Sequence, residues 1–104
     1  MRRAEVWWVD LPAPVNPRPV VVLTRDAVVG TIDAVIVSLV TRTRRGLASE
    51  FPLGRREGLP RPCVASMDNL MTVPRRRLSR LLGALAKERI EELNAALKFA
   101  LDLA

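Results

Sequence analysis

The sequence contains no histidine and no tyrosine, and it has one cysteine among its 104 residues. Without imidazole, neither a Ser-His-Asp nor a Cys-His nucleophilic site can be assembled, and no pair of histidines can work as acid and base on RNA. The usual zinc ligands are largely missing, and a lone thiol cannot close a disulfide within one chain. One cysteine in a short chain fits a reducing compartment. Long apolar runs are also absent. The longest, Ala34 to Val40, is interrupted by Ser38, well short of the roughly 20 residues a membrane-crossing helix needs. The basic start, Met1-Arg2-Arg3, runs into Ala4 and Glu5 with no cleavable apolar stretch behind it. A cytoplasmic protein with no membrane partner is expected.

What is present is a basic, foldable chain. Hydrophobic residues make up 49% and charged residues 27%, a balance found in globular proteins. The length suits one domain, residues 1–104, around one core. Lys+Arg number 17 against 11 Asp+Glu, a net charge of +6, and 15 of those 17 bases are Arg. A GC-rich genome explains a preference for Arg over Lys, but it does not explain the net sign. A basic surface suits nucleic acid, an anionic membrane or an acidic partner. The charge is uneven. Residues 86–104 carry three bases and four acids, so residues 1–85 hold +7. The excess gathers in Arg42, Arg44 and Arg45, in Arg55, Arg56 and Arg61, and in Arg75, Arg76, Arg77 and Arg80.

The first part of the chain reads as strands. Glu5–Asp10 and Pro19–Thr24 are rich in β-branched and aromatic residues, with a Pro-rich loop, Leu11–Pro17, between them. Ile32–Thr41, Leu47–Leu53, Cys63–Met67 and Leu70–Val73 follow, and Asp68-Asn69 reads as a turn between the last two. In the segment 86–104, Ile90, Leu93, Leu97, Ala100, Leu101 and Ala104 recur at helical spacing, with acids in the first turns. This predicts an amphipathic packing helix. Arg75–Leu85 is open: Leu78, Leu81, Leu82 and Leu85 favour a helix, and Gly83 allows a turn followed by a strand. The pattern predicts an α+β fold, a small curled, mostly antiparallel sheet or barrel with one good helix.

With imidazole excluded, chemistry falls to Arg, Thr, Ser, Asp, Glu and the backbone. Thr41-Arg42-Thr43-Arg44-Arg45-Gly46 is the densest basic patch, and its guanidiniums and hydroxyls suit several phosphate oxygens at once, a solvated turn being the plainer reading. Arg18 lies between Pro17 and Pro19, which restricts it to extended backbone and mounts it stiffly at a strand entrance. Trp7 and Trp8 point to opposite faces of a strand, so one is core and the other is a base-stacking candidate or partly covered by the helix. Asn69 is a secondary candidate for base-edge recognition. Arg75–Arg77 reads as a generic solvated run and Cys63 as a small packing residue.

The segments MRRAEVWWVDLP, RPVVVLTRD, VIVSLVTRTRRGLASEFPL and GLPRPCVASMDNLMTVPRRRL, with the closing helix, resemble the MazF/PemK toxins in the same order across essentially the whole chain. The resemblance implies an SH3-like small β-barrel of the CcdB/PemK type with a C-terminal amphipathic helix, working as a homodimer. It implies a toxin of a type II toxin–antitoxin system that cuts single-stranded RNA sequence-specifically, without metal, cofactor or ribosome. A MazE-like antitoxin with an acidic tail is the implied partner, competing for the RNA groove. The resemblance also makes Ser79–Leu85 a strand. It places the family's strand Arg at Arg18 and the Thr that ends the central strand at Thr41, the catalytic pair; Arg42, Thr43, Arg44 and Arg45 of the basic patch, with Asn69, are then the candidate RNA contacts. Cleavage by the ribose 2′-OH follows, which excludes DNA as a substrate. Two other classes share features of this reading: a CcdB-like poison of a protein such as gyrase, and a non-catalytic RNA-binding regulator. The chain departs from the family pattern in three places. No carboxylate lies between Asp10 and Arg18, so the general base has no assignment; Ala4 stands where a Gly is usual; and Ala86-Lys87-Glu88 replaces a Ser-Pro-Glu helix cap.

Overall fold

Valine, isoleucine and the two tryptophans cluster where strands form, because branched and aromatic side chains pack well on a pleated surface. The computed structural model describes residues 1–104. Strand β1 is Glu5–Val9, β2 is Arg18–Val22, β3 is Ala34–Thr41, β4 is Glu50–Leu53, β5 is Cys63–Pro74 and β6 is Leu78–Ala84. A four-residue helix, α1 (Asp26–Val29), follows β2, and α2 (Ile90–Ala100) follows a 3-10 turn at Lys87–Arg89. All the strands pair antiparallel in one sheet of order β4-β5-β3-β2-β1-β6.

The sheet buries both faces, so alternate residues of one strand enter different cores. On β2, Val21 joins Val6, Phe51, Met67 and Leu93 in the larger cluster, which α2 covers. Val20 and Val22 join Val9, Val35, Val37 and Val73 in the smaller one, which Val29 of α1 helps to close. Edge strands β4 and β6 do not pair, so the sheet is barrel-like but open. Its ends still meet. The turn after β4 lies against β6, where a Cβ on Gly58 would strike the Leu82 carbonyl and one on Gly83 the Glu57 carbonyl. Only glycine permits that backbone approach, and Gly58 also has φ +87.

Several expectations change. Asp68-Asn69 is not a turn. β5 runs unbroken through it, with Met67, Asp68 and Asn69 bulged between the pairs Leu39↔Ser66 and Ser38↔Leu70. Ser49 secures the bulge, its hydroxyl donating to Asp68 Oδ2 at 2.5 Å and its carbonyl accepting from Met67 N–H at 2.9 Å. Arg75–Leu85 is a 3-10 turn and then β6, as the family resemblance implied, and not the helix its leucine spacing favoured. Ser79 and Leu82 are skipped in the pairing of β6 with β1, and the four leucines share no face: Leu78 joins the smaller cluster, Leu82 and Leu85 pack with the larger one, and Leu81 is exposed. The central strand begins at Ala34 rather than Ile32, because α1 and its following turn occupy the residues before it. The fourth strand begins at Glu50 rather than Leu47.

Helix α2 is shorter than its stripe suggested. Leu93 and Ala96 are buried, Ile90, Leu97 and Ala100 pack at the margin, and Leu101 and Ala104 are exposed beyond its end. Burial of Leu93 alone contributes about 2 kcal/mol. Its N-terminal end is held by Arg89. The Arg89 guanidinium lies 4.3 Å from the centroid of the buried Phe51 ring. It donates to the Pro52 carbonyl at 2.8 Å, to Glu57 Oε2 at 3.2 Å and to Glu92 Oε2 at 3.1 Å. Glu57 is 3% exposed, and its other oxygen accepts from Gly54 N–H at 2.7 Å. This ion pair sits where burial makes loss of either partner costly. No helix is long and apolar enough to cross a membrane.

Candidate active site

The register of the sheet brings Arg18 and Thr41 together. β2 and β3 pair as Val22↔Val37, Val21↔Ser38 and Val20↔Leu39. The ladder ends two residues short of Arg18, the first residue of β2, and of Thr41, the last of β3, so the two lie at the same end of neighbouring strands. Both line a cleft of about 360 Å³. Arg42 and Arg61 add two more guanidiniums to its wall. Trp8, Cys63 and prolines 17, 19 and 60 line it as well. No carboxylate lines it.

Arg18 is mounted as its flanking prolines suggested. One Nη donates to the Val15 carbonyl in the Pro-rich loop, and Nε is buried without a hydrogen-bond partner. An unpartnered buried donor costs free energy. The Thr41 hydroxyl accepts from Thr43 N–H at 3.2 Å. That contact uses an oxygen lone pair and leaves the hydroxyl proton free to donate.

The remaining expected contacts separate from this centre. Thr43, Arg44 and Arg45 are exposed in the loop after β3, outside the cleft wall. Glu50 restrains that loop, its carboxylate accepting from Arg45 N–H at 3.0 Å and Leu47 N–H at 3.2 Å. Asn69 is exposed on the β5 bulge and does not line the cleft. Arg61 and Trp8 do line it. Sequence alone counted Arg61 only within a charge cluster and left the choice between Trp7 and Trp8 open. The cleft therefore takes one Arg from each of the first two charge clusters and adds the isolated Arg18.

Cys63 is 6% exposed. Burial pushes its thiol above the ordinary value of 9.0, the Glu57 charge adds to the rise, and Arg42 opposes it. These effects favour the protonated thiol over the nucleophilic thiolate. No group of three or more His, Cys, Asp or Glu side chains gathers as a set of metal ligands.

The chain matches the family described as PemK-like, MazF-like toxin of type II toxin-antitoxin system over residues 2–101. It is 46% identical over 101 residues to a Mycobacterium tuberculosis protein named probable endoribonuclease MazF2, covering 92% of this chain and 97% of that protein. Its fold superposes on the Mycobacterium tuberculosis toxin MazF-mt6 with a TM-score of 0.89 and 36% identity, covering 96% of this chain and 98% of that one. A mycobacterial endoribonuclease in complex with its cognate antitoxin is similar too, with a TM-score of 0.88 and 25% identity, covering 100% of this chain and 97% of that one. Family match, sequence likeness and fold agree along almost the full length, and the chain belongs to the PemK-like, MazF-like toxins of type II toxin–antitoxin systems.

Proposed function

We propose that this toxin is an endoribonuclease whose cleft binds single-stranded RNA and cleaves it by transesterification. The supporting observation is the carboxylate-free cleft in which Arg18, Thr41, Arg42 and Arg61 converge, with Arg18 Nε buried and unpartnered. The ribose 2′-oxygen attacks the adjacent phosphorus as its proton is removed. The bond from phosphorus to the 5′-oxygen breaks, and that oxygen takes up a proton. The products are a 2′,3′-cyclic phosphate and a 5′-hydroxyl. The transition state concentrates negative charge on the non-bridging oxygens, which the Arg18 guanidinium binds in two-pronged fashion while Thr41 donates its hydroxyl proton. One such donor lowers the barrier by about 3 kcal/mol. Arg42 and Arg61 hold the flanking backbone, and Thr43, Arg44, Arg45 and Asn69 contact RNA beyond the cleft. The reaction needs neither metal nor ribosome, and the requirement for a 2′-OH leaves DNA uncleaved.

The whole chain acts as one toxin domain, as a homodimer in the cytoplasm. A MazE-like antitoxin with an acidic tail neutralises it by occupying the same basic cleft. The test is incubation of purified protein with long single-stranded RNA in EDTA, followed by mapping of the ends. Discrete cuts with 5′-hydroxyl ends, abolished in Arg18→Ala, are expected. Tight binding without cleavage would replace this reading with an RNA-binding regulator, and absence of both would point to a toxin that acts on protein.

A further inference from the structure

The two tryptophans of β1 are neighbours in sequence with different surroundings. Trp7 packs against the smaller core cluster, and its indole N–H donates to Glu5 Oε1 at 3.0 Å. Trp8 packs in neither core cluster, is half-buried and lines the cleft beside Arg18 and Thr41. The Arg80 guanidinium lies 5.9 Å from the centroid of the Trp8 ring, but Arg80 is not part of the cleft wall and does not fill it. The cleft, at about 360 Å³, has room for more than one phosphate group.

A large, partly exposed indole that serves no core, beside a phosphate-binding arrangement, is what stacking of a nucleobase requires. We infer that Trp8 is the base-stacking residue of the cleft, holding a nucleobase next to the phosphate that Arg18 and Thr41 engage. This rests on the reading that the cleft takes RNA. Every base presents a π-face, so Trp8 supplies affinity and alignment without selecting a sequence. The Arg80 charge over the indole adds a positive group near the bound strand.

The test reads binding rather than cleavage. In a Trp7→Phe protein Trp8 is the only indole, and its fluorescence is followed during titration with short 2′-deoxy oligonucleotides of adenine, cytosine or thymine. An abasic phosphodiester chain of the same length is the control. Base-bearing strands should quench Trp8 while the abasic chain does not. Replacing Trp8 by Leu keeps apolar volume and removes the π-face. It should weaken binding of the base-bearing strands by roughly 10-fold or more and leave the abasic chain unaffected, while Trp8→Phe should restore most of the loss. Equal quenching by both kinds of strand, or equal affinity of Trp8→Leu and the wild type for the base-bearing strands, would overturn the inference. Cleavage of RNA without base-dependent quenching would defeat this inference alone. Base-dependent quenching without cleavage would defeat the nuclease reading and leave Trp8 in its role.

Discussion

Two arginines show how differently one residue type can be surrounded. Arg89, at the start of α2, meets Glu57, Glu92, the Pro52 carbonyl and the face of Phe51. Arg18, in the cleft, meets one carbonyl and no carboxylate, and its Nε has no partner. A guanidinium with its donors used holds structure together. One that meets no carboxylate beside a basic cleft fits the anion-binding role proposed for Arg18. The net positive charge therefore does not measure the binding surface, because several of its members are structural. Arg3 is another: its side chain donates to the Leu23 carbonyl at 2.9 Å and to Asn94 Oδ1 at 2.8 Å, tying the N-terminal segment to α2.

Removing each guanidinium separates the two roles most sharply. Arg18→Ala should lower kcat on RNA by about 10²- to 10³-fold while changing unfolding free energy by about 1 kcal/mol or less, as measured by single-turnover cleavage and urea unfolding. Loss of stability without loss of cleavage would break the contrast. Arg89→Ala should do the opposite and cost about 3 kcal/mol of stability, since the Glu57 carboxylate stays buried without its cation. Activity per folded molecule should be retained below the lowered melting temperature.

A gain should be available on the Arg89 side as well. Ala86 precedes the 3-10 turn with extended backbone, φ −66 and ψ 150, and its side chain caps nothing. Ala86→Ser should add about 1 kcal/mol, read as a higher urea midpoint with cleavage unchanged. The smallest effect lies on the border between the two regions. The Cys63 thiol is raised from 9.0 by burial and then by Glu57, with Arg42 acting against them. The folded protein thus holds the proton more tightly than the unfolded chain does. Its contribution is complete below pH 9.0 and is lost as pH rises through the raised value. Stability of the wild type should fall above pH 9.0 more steeply than that of Cys63→Ala, in urea titrations at each pH. Iodoacetamide should label Cys63 only on unfolding at pH 8.

The parts that followed a simple local rule were legible in the sequence. β1 and β2 lie within a residue or two of their expected bounds, because their β-branched runs end at prolines or turn residues. The Pro-Arg-Pro setting of Arg18 and the strand-end position of Thr41 were readable for the same reason. β6 was not, since the helical spacing of its leucines does not mark one buried face. The short helix α1 was missed, and its four residues are too few to develop a period. In the site, Arg61 could not be told from Arg55 and Arg56, because nothing local distinguishes an Arg that reaches the cleft from one that reaches solvent.

Composition by itself removed imidazole chemistry and disulfides within the chain. The order of apolar segments set most of the strands and the buried stripe of α2, since those depend on residues near one another in sequence. The tertiary structure decided which charges converge. Antiparallel pairing of β2 with β3 left Arg18 and Thr41 at one end of the sheet, lining one cleft, and the turn after β4 carried Arg61 to it. It also turned Trp8 rather than Trp7 toward that cleft. Strand alternation places the two rings on opposite faces, but which face becomes core depends on what the rest of the chain packs against it.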